Sequence, residues 1–318
     1  MSRASNDNGR AYEYACVIAL HEAIKQHRTI QIVQNNSLEV SKSAWDKMSK
    51  QQQELYQLSA ASVTSTIFAM EPNILEVSSD TLDIYIRSDQ EGQKADVRDI
   101  ILRRNDIVWE IGLSVKHNHL AIKHSRIARS SDFGKKWYGV PCSSMYWEEV
   151  RSVFDFLESE KKQGTLFSEL ENKDLQIYLP LLNAFVKEIE RQVRGNTDIA
   201  QRFVGYLLSR YDFYKIISHD EHRITTIQSF NMYGTLNLPS KKGKPIVKVQ
   251  RVNLPQNMLY IGLKSGSMST VLLSFDNDWQ FSFRIHNNAN KIVEPSLKFD
   301  ICIEGIPAEL NIKYHCKW

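Results

Sequence analysis

The residues best suited to chemistry lie in the first half of the chain. Glu110, Ser114 and Lys116 alternate along a run of strand-forming residues, so they share one face of the predicted strand. Asp96 and Asp99 begin the preceding run, which we expect to pair with it as a hairpin. Neighbouring carboxylates repel one another unless a cation lies between them. The pattern predicts a Mg²⁺ site where Lys116 orients or deprotonates a water for attack on a phosphate.

The hairpin register decides which aspartate joins this site, and the sequence permits two registers. With a three-residue loop before Ile107, Asp96 lies opposite Ser114. With that loop one residue longer, Asp99 lies opposite Glu110. A shift of one residue exchanges the faces of a strand, so both aspartates remain candidates. The structural alternative is a surface hairpin with solvated charges.

The composition excludes several classes of protein. The chain has 318 residues, 42% of them hydrophobic and 24% charged, which is typical of a folded protein of one or two domains. Its four cysteines are scattered without a CxxC pair, which argues against a zinc finger or a secreted disulfide framework. The polar N-terminal residues do not resemble a signal peptide, and there is no long apolar run. We therefore expect a cytoplasmic protein with no membrane partner.

The distribution of charge indicates a polyanionic partner more clearly than the net charge of +3 does. Residues 111–131 contain four Lys or Arg and three His but no carboxylate, and Lys135 and Lys136 follow. A second stretch, residues 241–251, is also basic without an acid. Lysine and arginine neutralise the phosphates of nucleic acids, although solvated loops would show the same composition.

The elements that must position these residues divide the chain in two. Residues 1–70 predict a helix around 11–19 and a second helix, capped by Ser41 or Ser43, that reaches Met70. Residues 82–116 predict three strands, and helical spacing returns over 143–211. After residue 212, short alternating runs predict an antiparallel β region: 223–229, 258–263, 270–275, 280–285, 298–303 and 310–314. The fold class is α/β (α+β), with a boundary near 212–222.

Several long strings resemble the HaeIII family of type II restriction endonucleases. They extend from the first predicted helix to the last predicted strands: NGRAYE (8–13), DVRDI (96–100), WEIGLSVKHNH (109–119), KHSR (123–126), FGKKW (133–137), WQFSFRIH (279–286) and EPSLKFD (294–300). The resemblance implies a PD-(D/E)xK nuclease core over 1–215, with helical insertions, and a β-rich DNA-recognition region over 216–318. It also implies Mg²⁺-dependent cleavage of double-stranded DNA at a short palindromic site, GGCC in the type member, and a companion DNA methyltransferase.

The sequence departs from the superfamily pattern at two places. Ala95 stands where proline often precedes the aspartate, and Ser114 stands where a carboxylate is usual, two residues before Lys116. Glu110 and Glu13 are the candidates that replace the missing acid. The expected metal ligands are therefore drawn from Asp96, Asp99, Glu110 and Glu13, and the expected catalytic groups are these four with Ser114 and Lys116.

The DNA contacts are expected from basic and polar residues outside the catalytic cluster. They are His117, Asn118, His119, Lys123, Arg126, Lys135, Lys136 and Arg284. Arg126 and Arg284 are the candidates for reading guanine in the major groove, because arginine can bond guanine O6 and N7 together. A palindromic site suits a homodimer, since two-fold protein symmetry then matches the DNA. The alternative function is a non-catalytic DNA-binding protein with a degenerate nuclease core, which the serine at position 114 favours.

Overall fold

The computed structural model describes residues 3–88, 96–117, 123–287 and 289–318, although the side chains of residues 3–6, 123 and 124 are not described. The helices within these ranges are α1 (Arg3–Ile24), α2 (Asn36–Asp46), α3 (Lys50–Ser62), α4 (Thr64–Met70), α5 (Phe133–Trp137), α6 (Ser144–Gln163), α7 (Leu179–Gly195) and α8 (Ile199–Leu208). The strands are β1 (Ile30–Ile32), β2 (Leu82–Ile86), β3 (Ile100–Arg104), β4 (Trp109–His117), β5 (Lys123–Ala128), β6 (Phe213–His219), β7 (Ile224–Phe230), β8 (Met258–Leu263), β9 (Thr270–Phe275), β10 (Gln280–His286), β11 (Ser296–Gly305) and β12 (Lys313–Lys317).

The first compact unit is built from three separate stretches of chain, residues 1–120, 209–252 and 308–318. It contains a seven-stranded mixed sheet in the order β1-β2-β3-β4-β6-β7-β12. β4 and β6 run parallel, whereas β3 and β4 form an antiparallel hairpin. One face of this sheet carries the aliphatic residues of β2 to β4, and these join α1 to α4 in one hydrophobic core. The opposite face carries polar residues of β4, such as Ser114 and Lys116, beside buried apolar residues such as Ile101 and Ile217.

The second compact unit comprises residues 121–208 and 253–307. Its five-stranded sheet has the order β5-β11-β10-β9-β8, and all its pairings are antiparallel. The inward residues of β10, Phe281, Phe283 and Ile285, are buried, whereas Arg284 between them is exposed. The strict alternation along β10 is what places Arg284 on the outward face.

The α/β fold class is confirmed, and the mixed sheet is consistent with a restriction-endonuclease-like fold. The compact units differ from a division at 215/216, because β6 pairs with β4, and β7 and β12 extend the same sheet of the first unit. Backbone hydrogen bonds join strands that are far apart in the sequence. The order of elements along the chain therefore does not reveal which strands share a sheet. The β region after residue 212 is thus shared between two sheets.

The helical prediction for the first 70 residues is right in type and wrong in its boundaries. The predicted second helix is three helices, α2, α3 and α4. Asn35 and Ser49 supply the N-terminal caps of α2 and α3, not Ser41 or Ser43. Asn35 accepts a hydrogen bond from the backbone N–H of Leu38, and Ser49 forms a capping box with Gln52. Among the described helices, none combines the length and apolarity needed to cross a bilayer.

Candidate active site

The β3–β4 hairpin adopts neither of the registers expected from the sequence. Arg104 pairs with Trp109 and Ile100 pairs with Leu113, so the four-residue connection lies at 105–108, two positions later than expected. Val108 in this connection has a φ of 51°, a left-handed conformation that closes the turn. The observed register places Asp99, immediately before β3, beside Ser114.

Asp99 is the centre of the polar cluster at the end of β4. Its Oδ2 accepts hydrogen bonds from the backbone N–H of Val115 at 2.7 Å and from Lys116 Nζ at 2.8 Å. The Ser114 hydroxyl donates to the same oxygen at 3.4 Å. The side chains of Lys116 and Asp99 are 31% and 21% exposed, so the ion pair remains accessible to a substrate. The structure thus brings together Asp99, Ser114 and Lys116.

Glu13 on α1 lies near the same ion pair. Burial lowers the pKa of Lys116, but the charge and hydrogen bond of Asp99 and the charge of Glu13 outweigh it and hold that pKa above its ordinary value. Burial also raises the pKa of Cys16, and the charges of Glu13 and Asp99 raise it further. α1 therefore brings a second carboxylate towards the Asp99–Lys116 pair. Lys116 stays protonated, which suits it to orient a water or stabilise charge, not to act as a base.

The carboxylate of Asp96 forms ion pairs with two arginines. Arg98 donates from Nε to Asp96 Oδ1 at 2.9 Å and from Nη2 to Asp96 Oδ2 at 2.7 Å, and Arg87 forms a further ion pair with the same carboxylate. The Asp96 side chain is 1% exposed. The structure thus places Asp96 in a buried network with two arginines and does not bring it into contact with Lys116.

Glu110 is also remote from the cluster. It accepts a hydrogen bond from Arg98 Nη1 at 2.7 Å. Six residues of extended strand separate it from Lys116, which corresponds to about 20 Å. The two residues share a strand face, as the alternation predicts, but a shared face does not bring them within reach of one ion.

Arg98 crosses β4 at Gly112. A Cβ atom at position 112 would overlap the Cβ, Cγ and Cδ atoms of Arg98. The guanidinium lies 4.0 Å from the centroid of the Tyr211 ring, a cation–π contact. The absence of a side chain at Gly112 thus permits Arg98 to link Asp96 with Glu110.

His117, expected to bind DNA, belongs to the other face of β4. Its ring centroid lies 4.8 Å from that of Tyr56 and 6.0 Å from that of Tyr12, on α3 and α1. Its Nε2 lies 2.6 Å from Asp220 Oδ2. The strand alternation that points Lys116 to the polar face turns His117 towards the helices. Asn118 and His119 lie outside the described residues.

The remaining predicted DNA contacts belong to the second unit. Lys135 and Lys136 are exposed on α5, and Lys136 Nζ donates to Ser131 Oγ at 2.7 Å. Lys123 begins β5, and its side chain is not described. Arg126 is exposed and donates to Ser296 Oγ at 3.0 Å.

Arg126 and Arg284 share the outward face of the five-stranded sheet. Arg126 pairs with Lys298, and Arg284 pairs with Asp300, two residues further along β11. Arg284 is 63% exposed, and its Nη2 donates to Asp300 Oδ2 at 2.8 Å. The sheet thus presents two arginines in a fixed arrangement to the solvent.

Lys215 on β6 lies beside the Asp99 cluster, and the sequence reasoning did not single it out. It pairs with Ser114 across the parallel β4–β6 ladder. Burial lowers the pKa of Lys215 to about 8, and the positive charges of Lys116 and Lys313 add to this effect. The residues from Phe213 onwards include aromatic and β-branched types, which favour a strand. The helix predicted over 143–211 ends directly before them, so the start of this strand is hard to recognise from the sequence.

Nearly the whole chain is similar to one family of known proteins. The family model for the HaeIII restriction endonuclease matches residues 9–307. The chain is 46% identical to the type II restriction enzyme HaeIII of Haemophilus aegyptius over 311 residues, which cover 98% of this chain and 97% of the relative. No solved structure matches the chain. The similarity includes both compact units.

Proposed function

This chain belongs to the HaeIII restriction endonuclease family and is a site-specific deoxyribonuclease of type II, and we propose that Asp99, Ser114 and Lys116 form its catalytic centre. The observation that carries the proposal is the 2.8 Å contact between Lys116 Nζ and Asp99 Oδ2. In metal-assisted phosphodiester hydrolysis, a carboxylate can hold the metal ion and a neighbouring ammonium can orient the water or stabilise charge on the phosphate. Asp99, and not Asp96, is the ligand in this proposal.

The donor atoms around Asp99 fit Mg²⁺. This ion binds oxygen ligands and uses one or two carboxylates, with waters and substrate phosphate oxygens completing its shell. Asp99 and Glu13 supply two carboxylates, and within the described ranges no group of three or more His, Cys, Asp or Glu forms a complete protein-only metal site. When bound, the ion would stabilise charge on the attacking and leaving oxygens of the phosphate.

The chain's own residues then orient the reactants. The Lys116 ammonium donates hydrogen bonds to the attacking water or to a phosphate oxygen. Ser114 takes the position of the usual carboxylate, and its hydroxyl fixes the Asp99 side chain. The backbone N–H of Val115 donates to the same oxygen, Asp99 Oδ2.

We place base recognition on the outward face of the five-stranded sheet. Arg126 and Arg284 suit guanine, whose O6 and N7 accept two hydrogen bonds from one guanidinium. Asp300 restrains Arg284, which lowers the entropy lost when it binds. Together with the similarity to HaeIII, this favours GGCC as the recognised sequence.

The same proposal implies a homodimer, a companion enzyme and a location in the cell. A palindromic site suits a homodimer, because each half-site then meets the same surface. A companion methyltransferase would protect the host DNA from cleavage. We assign both proteins to the bacterial cytoplasm, where their substrate lies.

The test is plasmid digestion in Mg²⁺ by the native chain, K116A and R284A. We expect the native chain to give discrete fragments whose sequenced ends lie within GGCC. K116A should lose at least about 100-fold in cleavage rate and still bind the duplex, because Lys116 acts mainly in the transition state. R284A should lose discrimination between GGCC and scrambled duplexes, at about 1–3 kcal/mol for a bidentate base contact.

Two results would contradict the proposal. Full cleavage by K116A would exclude Lys116 from the reaction, and an unchanged specificity ratio for R284A would remove Arg284 from base reading. The alternative function, a non-catalytic DNA-binding protein, predicts binding without any Mg²⁺-dependent fragments from the native chain.

A further inference from the structure

A row of paired polar residues crosses four strands of the seven-stranded sheet. Ser114 on β4 pairs with Lys215 on β6, Lys215 pairs with Gln228 on β7, and Gln228 pairs with Lys313 on β12. Directly paired residues of neighbouring strands point to the same face of the sheet. Lys116, two residues after Ser114, shares that face. Lys215 therefore presents its ammonium on the face that carries the Asp99–Lys116 pair.

We infer that Lys215 is a second phosphate-binding residue of the catalytic centre, with its ammonium on a non-bridging oxygen of the DNA backbone beside Lys116. The inference rests on the proposed function, because it takes the scissile phosphate to lie at Asp99 and Lys116. Neighbouring strands are about 4.8 Å apart, so Lys215 is one strand away from Ser114. On β6, the residue paired with Lys116 is Ile217, which is apolar, so Lys215 is the residue of β6 that presents a positive charge beside Ser114.

The electrostatics of the row favour an anion as its ligand. Lys116 and Lys313 both act on Lys215 with like charge, and Lys215 is itself half-buried. Like charges held on one face of a sheet repel one another, and the low dielectric of a half-buried site strengthens the repulsion. A phosphodiester on this face would reduce that repulsion.

Gln228 is not available for the same task. Its Nε2 donates to the carbonyl oxygen of Leu310 at 2.6 Å, and the side chain is buried. It fixes the residues before β12 to β7. Lys313 lies two strands beyond Lys215 and is exposed, so its position suits a weaker, more distant contact.

The first experiment measures DNA affinity without a divalent ion, so that cleavage does not enter. K215M removes the charge, and K215R keeps it. K42M is the matched control: Lys42 is exposed on α2, pairs with Asp46, and its loss changes the net charge equally. We expect K215M to bind a GGCC duplex about 10-fold more weakly at low salt, with the slope of log affinity against log salt reduced by about one. K215R and K42M should bind like the native chain.

A second experiment locates the phosphate. Duplexes carrying one neutral methylphosphonate at successive positions of the site remove one charge at a time. The native chain should lose affinity at several positions, whereas K215M should be insensitive at one of them and lose affinity as usual at the others. Single-turnover cleavage in Mg²⁺ should fall for K215M and recover in K215R.

The inference is overturned if K215M keeps native affinity and salt slope. It is also overturned if K215M, though weaker, responds to every methylphosphonate as the native chain does, because that result indicates a general structural defect. Failure of the proposed function would appear separately as full cleavage by K116A, a measurement that does not involve Lys215.

Discussion

The two aspartates, three residues apart, have different environments. Asp96 is buried and bonded to two arginines, whereas Asp99 is partly exposed and bonded to a lysine, a hydroxyl and a backbone N–H. The guanidinium groups satisfy both oxygens of Asp96, so a metal ion would have to displace them. This difference in partners is the reason for assigning catalysis to Asp99.

Asparagine substitution distinguishes the two roles. D99N should lower single-turnover cleavage at least about 100-fold with little change in folding, because it removes a ligand from an accessible site. D96N should instead lower the free energy of unfolding by about 3 kcal/mol, since it leaves the buried Arg98 and the half-buried Arg87 without their shared anion. Urea unfolding and duplex cleavage measure the two effects. A stable, inactive D96N beside an active D99N would place the catalytic centre at Asp96.

At the scale of elements, the β3–β4 hairpin supplies the site through its register. Four residues of connection set Ile100 against Leu113, which carries Asp99 to Ser114. The same register places Arg98 over Gly112, where the glycine leaves room for the arginine side chain. The hairpin and the Asp96–Arg98–Glu110 network therefore depend on one another.

G112A tests this dependence. The added methyl group overlaps the Arg98 side chain, so we expect a loss of about 1–3 kcal/mol in the free energy of unfolding. Cleavage should fall as well, because Asp99 follows Arg98 directly in the chain. G195A is the control, since a Cβ at Gly195 meets nothing within 4 Å. Equal stability of G112A and the native chain in urea would show that Arg98 can move without consequence.

At the scale of the whole molecule, a buried acid makes stability depend on pH. Glu71 is fully buried, and its Oε1 accepts hydrogen bonds from Tyr214 Oη and Asn237 N, both at 2.6 Å. Burial raises the pKa of Glu71 to about 7, from an ordinary value of 4.5, although these bonds oppose the shift. The folded chain thus holds this proton more tightly than the unfolded chain, and stability falls as pH rises from about 4.5 to 7.

E71Q should remove this dependence, because glutamine resembles the protonated acid and keeps both accepted hydrogen bonds. Relative to the native chain, the variant should gain stability progressively between pH 4.5 and 7, by about 3 kcal/mol at pH 8. Urea unfolding at several pH values measures the difference, with E54Q, an exposed position on α3, as the control. A difference between E71Q and the native chain that does not change with pH would contradict the assignment.

The sequence by itself determined the chemical groups and most of the elements. The alternation of side chains predicts the strand face that carries Ser114 and Lys116. The long matching strings indicate the nuclease family, which the family model confirms. These features are local, because side-chain period and residue type can be read from a few neighbouring positions.

Tertiary structure decided which groups meet. The register of the β3–β4 hairpin places Asp99 beside Ser114, and the length of the extended strand separates Glu110 from Lys116. The parallel pairing of β4 with β6 places Lys215 beside Ser114, although the two are about 100 residues apart in the chain. There are two physical reasons why the sequence does not reveal these contacts. Register shifts of one residue differ little in local sequence signal, and pairing between distant strands is set by the packing of the whole sheet and its helices.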